Sequence, residues 1–281
     1  MRLKERECGG SEECGGSEER AEGVRGAGGK GKGAGKLFVV GIGPGATDLL
    51  TLRALNALKR SECVLGHRTY IEQVRHILNC DEVFVSGMGR EIERVRLAVS
   101  LARSGKTVSL VSGGDPSIYG MASLVAEYLW RHSLNLNYEV IPGVTALCSA
   151  SPLLGSAVSG DHAVISLSDR LTPWSKIEQR LRHALRGDFN IVIYNPSSRM
   201  RAGNLRRALR IILEERGNVQ IGVVKNASRE NENFFIVSAE KLISSVESID
   251  MHTLLFIPDS ETFIFNGKML SLRGYSRKYH L

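Results

Sequence analysis

Ser112–Met121, reading SGGDPSIYGM, is where residue type and spacing first suggest chemistry. Gly113 and Gly114 let backbone come close to a ligand, Pro116 fixes the following turn, and Asp115 supplies a carboxylate. Such a loop suits a small cofactor, and it is also compatible with plain turn chemistry. Gly41-Ile-Gly-Pro-Gly45, Ser86-Gly-Met-Gly89 and Pro142-Gly-Val-Thr-Ala146 are further glycine-bearing loops of the same kind. Each follows a short apolar run, and in a parallel α/β sheet ligands bind beyond the carboxyl ends of the strands. Four such loops along one edge predict a site.

The elements that must position them alternate. Apolar runs at 37–41, 62–65, 82–85, 107–111 and 138–141 read as strands. Helical periodicity falls between them, through Leu49, Leu52, Leu55 and Leu58, over 70–78, over 91–103, and from about Ser117 to Arg131. Strands are again predicted at 163–167, 190–194, 219–224, 234–237 and 253–257, with helices near 175–185 and 204–215. The alternation implies α/β architecture with mostly parallel sheets. The second sheet is open to being mixed, because the run at 234–237 follows its predecessor so closely. The division predicted is an N-terminal α/β domain over 37–155, a C-terminal α/β domain over 156–281, and a ligand cleft between them.

Residues 1–36 differ in kind. They hold 11 of the 30 glycines, no aromatic residue, and the hexamer CGGSEE twice, at 8–13 and 14–19. Such a segment buries too little apolar surface to offset chain entropy and reads as a disordered extension. It lacks the apolar core of a secretory signal. With 8 basic and 7 acidic residues there, +6 of the formal +7 charge belongs to the rest of the chain. That surplus fits an acidic partner; the basic residues are scattered, which disfavours nucleic acid. No apolar run reaches membrane-spanning length. Five cysteines without a CxxC pair predict neither disulfides nor a metal site, and a cytoplasmic setting. His67 and His162 are dispersed histidines that could touch a ligand or be structural.

Gly41, Gly43 and Ala46 satisfy the dinucleotide fingerprint G-x-G-x-x-G/A. Pro44 removes an N–H from the loop that would cradle a pyrophosphate, and Gly66-His67-Arg68 stand where the ribose-binding acid belongs. A Rossmann oxidoreductase is thereby disfavoured.

GIGPG followed by Leu50-Thr51, then Gly114-Asp-Pro116, then Ile141-Pro-Gly-Val-Thr-Ala146, resembles the tetrapyrrole methylases, a family of S-adenosylmethionine-dependent enzymes. Ile165–Asp169, Leu171–Trp174, Tyr194–Arg199 and Arg273-Gly-Tyr275 are similar to the branch that methylates C-17 of a precorrin-3B or cobalt-factor III macrocycle with ring contraction. So are Gly87-Met88 with Glu91 and Arg94, and Tyr119-Gly-Met121. The sequence departs from the family's usual pattern at Ser117, at Ser271-Leu272, at 154–161 and at 256–260. Alternatives left open are a same-fold methylase for another ring position, for RNA or for protein, and a non-catalytic binding protein.

The resemblance implies S-adenosylmethionine held between two domains by Pro44, Gly113, Gly114, Asp115, Ile118, Tyr119, Thr145, Ala146, Asn195, Asn226 and Ala227. Gly113 and Gly114 then read as room for that cofactor. Asp115, Asp169 and Glu91 are the candidate acids or bases for the ring-contraction step, and each could instead be a helix cap or ion-pair partner. The polycarboxylate substrate would meet Arg68, Arg90, Arg170, Arg199 and Arg273. The resemblance also implies a homodimer.

Overall fold

The computed structural model describes residues 4–7, 35–197 and 202–280. Contacts divide them into two units: residues up to Gly43 together with Thr47–Val144, and Pro44–Ala46 together with Thr145 onward.

The first unit carries β1 (Lys4–Glu7), β2 (Lys36–Gly41), α1 (Leu52–Arg60), β3 (Cys63–His67), α2 (Arg68–Val74), β4 (Glu82–Ser86), α3 (Glu91–Arg103), β5 (Thr107–Ser112), α4 (Ala122–Arg131) and β6 (Tyr138–Ile141). Its six-stranded sheet has the order β1-β4-β3-β5-β2-β6, and every pairing is parallel. Strand alternation splits β2 between two cores. Phe38 and Val40 join Ala54, Leu58, Ile71 and Val74 on one face, while Leu37 and Val39 join Val95, Val99, Val125 and Leu129 on the other. All four predicted loops therefore start from the same edge of the strands.

Two expectations for this unit change. Lys4–Glu7, inside the segment read as disordered, pairs in parallel with Glu82–Val85; residues 1–3 and 8–34 lie outside the described residues. The helix predicted from about Ser117 begins only at Ala122. Tyr119 sits at φ +52°, which no helix accommodates, and Ser112 Oγ accepts the Met121 N–H at 3.4 Å, so 115–121 closes as a turn.

The second unit carries α5 (Ala146–Leu154), β7 (Gly155–Ser156), β8 (His162–Ser166), α6 (Trp174–Arg186), β9 (Asn190–Tyr194), α7 (Ala202–Arg216), β10 (Gln220–Lys225), β11 (Asn233–Ser238), α8 (Ala239–Ile243), β12 (Thr253–Ile257), β13 (Thr262–Phe265) and β14 (Lys268–Ser271). The sheet β11-β10-β12-β9-β8 is mixed, with only β8 and β9 parallel, and a small sheet β13-β14-β7 accompanies it. Helices α6 and α7 cover one face through Leu181, Leu185, Leu205 and Leu209. On the other face, Leu147, Ala150 and Leu154 of α5 are buried with Val192, Val224, Phe256 and Met269. That packing is why α5 groups with this unit, although the sequence pattern sets the boundary at 155/156. Arg216, at the end of α7, donates to the carbonyls of Ala184, Leu185, Phe189 and Pro258, satisfying acceptors where α6 ends. Among the described residues, no helix is long and apolar enough to cross a membrane.

Candidate functional site

At the loop edge of the first unit, backbone is bonded directly to backbone. Gly43 N–H donates to Gly114 O at 3.2 Å, Gly114 N–H returns to Gly43 O at 2.7 Å, and Ile42 N–H reaches Ser112 O at 3.0 Å. Asp115 then ties in the third loop: Oδ1 accepts from Ser117 N–H at 2.8 Å and Oδ2 from Gly143 N–H at 3.0 Å. Thr51 Oγ1 holds the same loop through Pro142 O at 3.2 Å while accepting from Ala54 N–H as the cap of α1.

The packing explains the glycines in a way sequence could not. A Cβ on Gly143 would lie 2.2 Å from Gly114 O, against unyielding backbone. A Cβ on Gly113 would lie 2.5 Å from the Tyr70 ring, so the space the sequence assigned to a ligand admits a tyrosine. Asp115, nominated as acid or base, has both oxygens occupied by backbone donors. Beside it, Ile118 and Tyr119 are exposed, the latter held at its positive φ.

Glu91 Oε1 accepts from Gly89 N–H at 3.2 Å and faces the buried Arg94 at 3.5 Å. Arg94 also donates to Ser86 Oγ and Gly87 O. Arg90 pairs with Glu93 at 2.8 Å, and Arg68 opens α2 exposed. His67 caps α2, with Nδ1 accepting from Thr69 N–H at 3.3 Å, and meets Tyr70 edge-on with centroids 5.6 Å apart. Burial, and then the neighbouring Arg94 cation, push the His67 ring below its ordinary pKa, so it is neutral at pH 7.

In the second unit the pins are side chains. The Tyr194 hydroxyl lies 2.7 Å from Thr145 Oγ1 and accepts from Leu147 N–H at 2.8 Å, serving the start of α5, where Thr145 makes no side-chain cap. Asn195 and Asn226, directly after β9 and β10, adopt φ +51° and +52°. Asn195 Nδ2 donates to Ser166 Oγ at 2.9 Å, and Asn226 Nδ2 to Asn231 O at 3.4 Å. Asparagine is among the few non-glycine residues that adopt this left-handed conformation readily. Ala146 packs against the core around α5, and Ala227 is buried in it. Pro44 O accepts from Arg229 Nε at 2.6 Å. Asp169 and Arg170 lie in the exposed loop after β8, and Arg273 is exposed after β14; Arg170 and Arg273 have no side-chain partner among the described residues. Arg199 lies outside the described residues.

Sequence reasoning missed Tyr70, Arg229 and the role of Tyr194. Only Tyr194 carried a signal, as the first residue of Tyr-Asn-Pro. Among the described residues no group of three or more His, Cys, Asp or Glu could hold a metal ion.

The first unit carries glycine-bonded loops at the carboxyl edge of a parallel sheet, the place where α/β sheets bind small ligands. Residues 36–243 match the family of Tetrapyrrole (Corrin/Porphyrin) Methylases, and the chain belongs to that family. It is 47% identical over 247 residues to the cobalamin biosynthesis protein CbiHC of Archaeoglobus fulgidus, covering 88% of this chain and 54% of that relative, so it spans about half of the relative's length. It is 40% identical to a probable cobalt-factor III C(17)-methyltransferase of Salmonella typhimurium, covering 85% of this chain and 99% of that protein. Among solved structures, the methyltransferase CobJ superposes with a TM-score of 0.78 at 30% identity, covering 85% of this chain and all of that one. A uroporphyrin-III C-methyltransferase from Thermus thermophilus, solved with S-adenyl homocysteine, superposes with a TM-score of 0.61 at 28% identity, covering 80% of this chain and 92% of that one.

Proposed function

We propose that this protein is an S-adenosylmethionine-dependent methyltransferase of cobalamin biosynthesis, acting at C-17 of a precorrin-3B or cobalt-factor III macrocycle with ring contraction. The observation that carries this reading is the 40% identity that extends over 99% of a relative named for that reaction. The donor set agrees with a ligand that has no phosphates. The Ser112–Tyr119 loop offers backbone, one carboxylate and the exposed Ile118 and Tyr119, and it contains no basic residue. Pro44, the backbone of Gly113–Asp115, Ile118, Tyr119, Thr145, Ala146, Asn195, Asn226 and Ala227 would hold the methyl donor, whose contribution when bound is a methyl group already activated on a sulfonium.

The protein's own task is then positioning: two reactants oriented in a site that excludes water. Asp115 acts as a strap that sets loop shape, and Tyr194 as the group that sets Thr145 and the first turn of α5. The exposed Arg170 and Arg273 are the arginines most available to substrate carboxylates. The same reading makes the protein a cytoplasmic homodimer, for which light scattering should return twice the chain mass.

The test is to supply purified protein and S-adenosylmethionine with precorrin-3B or with cobalt-factor III. The expected outcome is methyl gain by mass spectrometry with one of the two. Binding of the methyl donor without methylation of either macrocycle would overturn the substrate assignment.

A further inference from the structure

The arginines nominated for substrate are not the only donors at the first unit's loop edge. His67 ends β3 and is paired in register with Ser86, so its loop lies between the Gly87–Gly89 loop after β4 and the Ser112–Met121 loop after β5. Its Nδ1 accepts the Thr69 N–H, which leaves the proton of the neutral ring on Nε2. Among the described residues Nε2 has no partner, and the one buried side-chain polar atom without a partner is Gln73 Oε1; Nε2 of the half-buried ring is therefore not sealed from solvent. The donor is held rigidly. The ring is braced by Tyr70, whose own ring occupies the space left by the absent Cβ of Gly113.

The loop after β4, the strand paired with β3, is roomy. Cβ atoms built on Gly87 or Gly89 would meet nothing within 4 Å. Met88 is 61% exposed and Ile92 57% exposed. Two nearby cations are already engaged: Arg94 with Ser86, Gly87 and Glu91, and Arg90 with Glu93. A neutral N–H beside exposed apolar side chains suits a ligand with an apolar body and a carboxylate rim.

We infer that His67 is a substrate-binding residue, its Nε2–H donating to a carboxylate of the macrocycle whose apolar edge rests on Met88 and Ile92. The inference rests on the proposed function and adds a contact in the first unit. It requires no proton transfer. The carboxylate stays ionised and the imidazole neutral.

The discriminating variant is His67→Asn. Its side-chain oxygen still accepts the Thr69 N–H and caps α2, but it does not extend to the position of Nε2. The measurements are cobalt-factor III binding by absorbance titration, S-adenosylmethionine binding by calorimetry, steady-state kinetics and thermal midpoint. The expected result is about tenfold weaker macrocycle binding and a matching rise in KM, with kcat, methyl-donor affinity and thermal midpoint unchanged. His67→Gln, which carries a donor on a longer stem, should recover part of that loss. Unchanged macrocycle binding by His67→Asn, or equal loss of both ligands, overturns the inference alone when the wild type turns over. A wild type that neither binds nor methylates the macrocycle overturns the proposed function together with it.

Discussion

The two units build their loop edges by opposite means. In the first, two loops are bonded backbone to backbone, and side chains add the third: Asp115 bonds Ser117 and Gly143, and Thr51 bonds Pro142 O. In the second, shape comes from side chains and local twist: the Tyr194 hydroxyl on Thr145 and Leu147, and asparagines held at positive φ. The difference follows from sheet type. Adjacent parallel strands β5, β2 and β6 end level and deliver their loops within backbone reach, whereas the mixed sheet sends some neighbours the other way. A backbone-built edge should fail when volume is added, and a side-chain-built edge when a polar atom is removed.

Gly143→Ala should have the largest effect, because its Cβ would meet Gly114 O at 2.2 Å with backbone on both sides. A loss on the order of 3 kcal/mol, read from denaturant melts, is expected together with loss of methyl-donor binding. A well-folded Gly143→Ala with normal binding would break the contrast at its root. Asp115→Ala comes next. It removes two charge-assisted bonds at a half-exposed site and should cost about 2 kcal/mol. Asp115→Asn sharpens the point: a strap loses stability and binding together, whereas a chemical acid or base would lose kcat with stability intact. Tyr194→Phe should cost about 1 kcal/mol and weaken methyl-donor binding about tenfold, since the ring stays packed and only the hydroxyl goes. A calorimetric affinity equal to wild type would show that Thr145 needs no such support.

The smallest effect lies on the helical layer of the second unit. There Arg186 and Arg182 hold the Glu215 carboxyl down at about 2. A depressed carboxyl stabilises the fold above its ordinary value near 4.5 and loses that contribution as pH falls toward 2. The midpoints of wild type and Glu215→Gln should therefore differ modestly at pH 6 and converge by about pH 2. Parallel curves throughout would remove Glu215 as the source.

Much of this fold was legible because it is carried by local patterns. Asn190–Tyr194, Thr253–Ile257 and Glu91–Arg103 occupy the predicted spans, since their apolar periods are unbroken. The hairpin β13–β14 lies outside the predicted elements despite a turn signal in Asn266-Gly267, both at positive φ. The loops were readable as a set; their wiring was not. Asp115 binds Gly143 across 28 positions, and Arg229 binds Pro44 across 185. Nor could sequence show that Gly113 makes way for Tyr70, because that requires knowing which helix follows β3 and where its third residue points.

The mutual pairing of Gly43 and Gly114, with Gly143 bonded to Asp115, has a consequence for time rather than shape. Their amide protons are bonded to acceptors of the protein before any ligand arrives. Hydrogen exchange at these three amides should thus be slow in ligand-free protein, in contrast to the rapid exchange of most glycine-rich loops. A ligand would then meet a seat already in place, with little chain freedom left to surrender on binding.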